Sequence, residues 1–338
     1  MGSPQLVEGD FVCQVGAPRT SSGLRPPQLG RLKQVHEMEM NFVDALSGQE
    51  RARTGTLEDW SAKDIISHIT ARKALMADRQ SLNSTWVKKD IELIRTIASA
   101  FPSSFDTGSL VETLCPHGDE HRDLGFGVSL IKCDQGGGYL RISIRIADFR
   151  GKAAIIRVDF DGHKVRDVIL EGWPHDLEEV NQHILRYQTR DKALSEAITR
   201  SIADSLGSYS PPTPDPRYQE EYETLMDPLA EHHYGHLCYF AAKPPAARDA
   251  IENLIAGEQY QLIRSVLRSP NPEARVYAVE ALRRLEKSDV PIQQEDRKAI
   301  DFLASQTMPV YVCSGCLVFS TPQGELLEER SDLPLSPD

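Results

Sequence analysis

The most regular hydrophobic pattern in the chain lies within 126–173. Leu140, Ile142, Ile144 and Ile146 alternate with Arg141, Ser143, Arg145 and Ala147. A half-buried strand needs that period of two, because successive side chains leave opposite faces of the pleat. Gln135-Gly136-Gly137-Gly138, Arg150-Gly151-Lys152 and Asp161-Gly162-His163 separate four such runs. Each is a turn that reaches positive φ at small steric cost. The pattern predicts a four-stranded antiparallel meander.

Elsewhere apolar residues recur at helical spacing. Leu32, Val35, Phe42 and Leu46 predict a helix over 29–46. A second opens at Ser61, where Ser61 and Asp64 form a capping-box-like pair ahead of Ile65, Ile69 and Met76. A third spans 90–101, with Ile91, Ile94 and Ala98 on one face and Pro102 ending it. Residues 102–125 are mixed and polar and lead into the meander. The stretch 177–206 reads as one long helix, with Val180, Ile184, Tyr187, Leu194, Ile198 and Ile202 in step. It would cover one face of the sheet.

Pro211, Pro212, Pro214 and Pro216 make 208–217 an extended linker and the main domain boundary. Beyond it, helices are predicted over 247–256, 258–267, 272–286 and 294–304. In 271–285, Val276, Ala278, Val279, Leu282 and Leu285 form a packing face. This block resembles the second helix of a HEAT-type repeat, and the resemblance covers about one repeat. It implies neighbouring helix pairs, because one unit cannot bury its own face. The expected fold is α+β: N-terminal helices, a central four-stranded antiparallel meander with a covering helix, and a C-terminal all-α HEAT-like module. The expected segments are a flexible tail 1–28, a helix-and-sheet domain 29–207, the linker 208–217, a helical domain 218–322 ending in a Cys-x-x-Cys hairpin, and an acidic tail 323–338.

Composition narrows the functional classes. A formal net charge of -12 without a basic run argues against general affinity for nucleic acid or anionic membrane. No apolar run approaches the ~20 residues that cross a bilayer. The glycine-, serine- and proline-rich N-terminus lacks the apolar centre of a signal peptide. Six thinly spread cysteines suggest a reducing cytoplasm with mostly free thiols.

Five groups of residues invite a chemical reading. Leu57-Glu58-Asp59-Trp60-Ser61-Ala62-Lys63-Asp64-Ile65-Ile66-Ser67-His68 resembles the start of the second helix in DinB-like four-helix-bundle proteins. The resemblance implies that His68 is the first of three ligands for a divalent metal, zinc, nickel or iron, which activates a thiol or water. The family's other ligands lie one turn apart on a later helix, a spacing that His232 and His236 share. Cys313 and Cys316 are half of a zinc site, a redox pair or two small buried residues at the turn of a terminal hairpin. Cys115, His117 and His121 could complete such a zinc site. Arg141, Arg145 and Arg157 share a sheet face, where they meet an anionic ligand or pair with Asp159, Asp167 or Glu171. Asp106-Thr107-Gly108 matches the loop of aspartic proteases, which need two copies, and this chain has one. Asp159-Phe160-Asp161-Gly162 lacks the spaced acids of a calcium loop and reads as a tight turn.

Because no catalytic set is complete, the first expectation is a non-catalytic protein-interaction or scaffold protein whose helical module binds a partner protein. A DinB-like metal-dependent enzyme and a binder of small anions at the sheet are the alternatives.

Overall fold

The computed structural model describes residues 82–101, 105–238 and 243–329. The helices predicted over 29–46 and from Ser61, the tail 1–28, the DinB-like stretch 57–76 and residues 330–338 lie outside the described residues.

The sheet is antiparallel and has six strands in the order β1-β2-β3-β4-β6-β5. The meander comprises β1 (Glu120–Gly125), β2 (Val128–Gly136), β3 (Arg141–Phe149) and β4 (Lys152–Asp161). It therefore begins one strand earlier than predicted, inside the segment read as polar lead-in. The run after Gly162, expected as the fourth strand, is helix α3 (Arg166–Gly172). Val165, Val168 and Ile169 fall at helical spacing there and are buried.

The predicted helix 177–206 divides. Its first part forms β5 (Glu178–Glu179) and β6 (Ile184–Arg190), and only α4 (Lys192–Leu206) is helical. Strand β4 is buried at every position but its ends, so its free edge needs a partner, and β6 supplies it. Asp191 caps α4 by accepting from the Leu194 amide at 2.9 Å, which fixes where the helix starts.

Two apolar layers follow from this alternation. On one face, Ile131, Ile142, Ile144, Ile146, Ile156, Val158 and Phe160 pack under α1 (Ser84–Ala100), α2 (Thr107–Leu114) and α3. Trp173 closes this layer, its ring 4.9 Å from Phe160 and 5.2 Å from Tyr187. On the other face, Leu124, Val128, Leu130, Ala147, Phe149 and Ile155 meet Ile198, Ile202 and Leu206 of α4, the expected covering helix. The same apolar cluster continues into α5 (Gln219–Met226), α6 (Ala246–Ala256), α7 (Tyr260–Val266), α8 (Pro272–Lys287) and α9 (Gln294–Ala304). Buried residues on both sides of the proline-rich stretch 208–217 thus belong to one core. The chain ends its described part with a hairpin, β7 (Pro309–Ser314) and β8 (Leu317–Pro322), then α10 (Gln323–Glu329). The start of the expected acidic tail is therefore helical, held by buried Leu326 and Leu327.

The glycine-rich turn 136–138 serves a purpose other than positive φ, which none of these three residues adopts. A Cβ on Gly138 would lie 2.6 Å from the Trp86 Cα, so α1 rests directly on the turn. Buried Asp90 completes this contact, accepting from the amides of Tyr139 at 3.2 Å and Leu140 at 3.3 Å. Gly136 has open space around it. We expect Gly138→Ala to cost about 1–3 kcal/mol through overpacking, while Gly136→Ala leaves the urea unfolding midpoint near wild type. Equal effects from the two substitutions would contradict this packing.

Candidate functional site

The terminal hairpin is held from one side. The outer edge of β7 pairs with residues 234–238: Tyr234 donates to the Tyr311 carbonyl at 2.7 Å, Cys313 to that of Tyr234 at 2.9 Å, and Gly315 to that of Leu237 at 3.3 Å. The strand β8 pairs with β7 alone among the described residues. Seven large apolar residues are exposed among the described residues, and four of them, Leu237, Leu317, Val318 and Phe319, surround this tip. Leu317 is 69% exposed. The helical module α6–α9 carries none of the seven, so the apolar surface lies on the hairpin rather than on the helices.

Behind the tip is a cleft of about 230 Å³. It is lined by Tyr311 and Val318 of the hairpin, by Glu120, Arg122 and Lys132 of the sheet, and by Glu231 and His233. The Arg122 guanidinium sits 4.0 Å from the Tyr311 ring centroid, a cation–π contact. The Tyr311 hydroxyl donates to Glu120 Oε1 at 3.2 Å, and the His233 ring stacks on Tyr311. Burial lowers the pKa of His233, which favours the neutral ring. Burial alone would raise Glu231, but Lys132 at 2.8 Å and Arg145 at 3.2 Å outweigh it and hold the carboxyl below its usual value.

The residues singled out from sequence are placed differently from one another. Arg141, Arg145 and Arg157 do share a sheet face, with Arg145 directly opposite Arg157 in register. Each is paired: Arg141 with Asp134 at 2.9 Å, Arg145 with Asp159 and Glu231, Arg157 with Asp227 at 2.7 Å. Asp159 was expected as a partner. Asp227 and Glu231 were not, because they arrive from the segment after α5.

His232 and His236 do not form a helical pair. Residues 231–233 have no regular structure, Tyr234 forms an isolated bridge to Val312 of β7, and 235–237 are bends, because the backbone is committed to pairing with β7. His232 is buried with Nε2 donating to the Thr224 carbonyl at 2.9 Å, whereas His236 is exposed. Burial lowers the pKa of His232 and so keeps it neutral. His68 lies outside the described residues. Among the described residues no group of three or more His, Cys, Asp or Glu side chains is placed to hold a metal ion.

The free thiols expected of four cysteines are replaced by disulfides, Cys115–Cys133 and Cys238–Cys313, with Cα separations of 5.7 and 5.6 Å. Cys115 therefore does not join exposed His117 and His121 in a ligand set, and Cys313 is bonded to Cys238 rather than to Cys316. Cys316 occupies the turn of the hairpin but is exposed, and Cys313 lies within β7, so the pair is not the two buried turn residues of the third reading. Asp106 of the Asp-Thr-Gly sequence caps α2 and pairs with Lys152 at 3.0 Å.

Nothing in the sequence singled out Arg122, Glu231, His233 or Leu237. Their only common signal is position: all flank the segments that meet the hairpin. No protein-family model, curated protein or solved structure matches this chain. Among the described residues no helix is long and apolar enough to cross a membrane.

The strand beside the tip is anchored by a buried ion pair. Arg248 donates to Glu280 at 2.7 and 2.8 Å, Tyr234 donates to the same carboxylate at 2.6 Å, and Arg248 Nε reaches the Gly235 carbonyl at 3.2 Å. Burial alone would raise Glu280, but Arg248 outweighs it and holds the carboxyl below its ordinary value. A lowered carboxylate pKa contributes stability that is present above the unfolded-state value of about 4.3. That contribution is lost as pH falls through the lower folded value. We expect Glu280→Gln to cost about 3–5 kcal/mol at neutral pH, because it removes the buried partner of Arg248 and leaves only the partly exposed Glu252 at 3.2 Å. It should also flatten the acid limb of stability against pH, measured by urea unfolding at a series of pH values.

Proposed function

We propose that this chain is a non-catalytic interaction protein that binds a partner polypeptide at the hairpin tip, by adding a strand to the open edge of β8. The observation that carries the reading is the gathering of Leu237, Leu317, Val318 and Phe319 around a strand whose outer edge has no partner among the described residues. An open edge offers a row of backbone donors and acceptors, and flanking apolar side chains give a second strand something to pack on. The adjoining cleft accepts a side chain of the bound strand between Tyr311 and Lys132.

In this reading the helix pairs α6–α7 and α8–α9 are two units of a HEAT-like stack whose work is to carry the hairpin. The stretch 208–217 is the junction between a sheet part and a helical part that fold against each other. A cytoplasmic setting requires that the two cysteine pairs tolerate reduction, since thiols there are kept reduced.

Panning a library of random extended peptides against the full chain tests the proposal. Peptides with alternating apolar residues should be enriched. Leu317→Asp and Phe319→Asp should each weaken a selected peptide by roughly tenfold or more, as expected for an interface anchor. Trp86→Asp, an exposed aromatic far along the chain, should leave binding unchanged. Circular dichroism guards against misfolding of the variants. Failure to enrich any peptide, or equal loss with all three variants, would sink strand addition at β8.

A further inference from the structure

Three of the six cysteines meet at this tip. Cys238 and Cys313 are bonded and buried. Cys316 is exposed and belongs to neither disulfide. The backbone brings it to the buried bond. Ser314 and Leu317 face each other across the hairpin, so Gly315 and Cys316 are its two turn residues. Gly315 adopts φ +58°, which a tight two-residue turn requires. The same Gly315 stands across a parallel bridge from Cys238. Cys316 is thus the immediate neighbour of the residue that pairs with Cys238, and Cys313 lies at the other end of the same Cys-x-x-Cys run.

The bond also sits under a close contact. A Cβ on Gly235 would lie 2.8 Å from Cys313 Sγ and 3.2 Å from Cys238 Sγ. The segment that anchors β7 therefore rests directly on the disulfide, and its covalent lock and its backbone pairing act at one place.

We propose that Cys238, Cys313 and Cys316 form a thiol–disulfide exchange site, in which Cys316 opens the buried bond and loosens the hairpin tip. The Cys316 thiolate attacks Cys238 Sγ. A Cys238–Cys316 bond forms as the Cys238–Cys313 bond breaks, and the electron pair leaves on the Cys313 sulfur, which takes up a proton. The proton lost by Cys316 goes to solvent. Bonds, electrons and protons balance without an outside oxidant or reductant. The product ties 238 to the turn instead of to β7, and this changes the tip whether or not a partner strand docks there.

The test uses the full chain, oxidised, held at pH 8, quenched with acid, alkylated and digested. Linked peptides are then identified by mass spectrometry. Wild type should yield a Cys238–Cys316 linkage beside Cys238–Cys313. A Cys313–Cys316 linkage equally supports exchange, with attack on the other sulfur. In Cys316→Ser only Cys238–Cys313 should remain, and dilute dithiothreitol should reduce it about tenfold or more slowly, since attack on a buried bond is limited by access. In Cys313→Ser a Cys238–Cys316 bond should form unaided. Cys238–Cys313 as the sole linkage in wild type, with unchanged reduction in Cys316→Ser, overturns the proposal. So does full alkylation of all three cysteines after oxidation.

Discussion

The structure depends on satisfying one enclosed helix. Every residue of α8 from Pro272 to Leu282 is buried, including Glu273, Arg275 and Glu280. Charges taken out of water need partners, and a helix surrounded on all sides must draw them from other parts of the chain. Arg275 donates to the carbonyls of Ser269 and Leu124, each at 2.8 Å. Glu273 accepts from Arg122 of β1 and from the Tyr311 amide of β7. Asn271 caps the helix and also reaches the Ala230 carbonyl at 3.0 Å. Five separated segments are thereby fixed to one helix: the edge of the sheet, the loop before α8, the segment after α5, α6 through Arg248, and the terminal hairpin.

This constraint explains why the sheet and the helices share a core despite the prolines between them. The linker is extended, as four prolines dictate, yet it is not slack. Arg268 donates to the Gly207 carbonyl at 2.9 Å, and Arg264 lies 4.8 Å from the Tyr209 ring centroid. Both arginines are in turn held by buried Asp296, at 2.6 and 2.9 Å. Sheet residues that cannot be apolar because the loop 227–233 crosses them are charged instead. Arg157 and Asp227, or Lys132 and Glu231, do across that loop what Leu130 and Phe149 do beneath the helices.

Local patterns were legible in the sequence wherever local physics decided the outcome. The alternation in β3 and the helix Gln294–Ala304 match expectation because each presents one apolar face to one neighbour. The stretch 177–190 misleads because Ile184 and Tyr187 satisfy helical spacing, while Leu185 and Tyr187 satisfy strand spacing equally well. The demand of β4 for an edge partner decides between them, and that demand is not local. The arginine face was legible from β3 and β4 alone, as was Asp159, but Asp227 and Glu231 were not, since a loop seventy or more residues away in sequence brings them. The histidine pair failed for the same reason. Spacing of four residues marks a helix only where the backbone is free to be one, and here it is spent on β7.

At the tip, the outer edge of β8 has no strand partner among the described residues. Long exposed edge strands are hazards that proteins blunt with charges, prolines or covering elements. In β8, Pro322 stands at the end near α10, opposite Pro309 of β7, whereas Leu317, Val318 and Phe319 at the turn end carry no charge. The open end is also where the chain spends its rigid contacts: the Tyr234 hydroxyl on Glu280, the Tyr277 hydroxyl within 3.0 Å of the Gly235 carbonyl, and the Cys238–Cys313 bond. An apolar edge without a strand partner among the described residues, mounted on buried, hydrogen-bonded supports, is costly to leave in water.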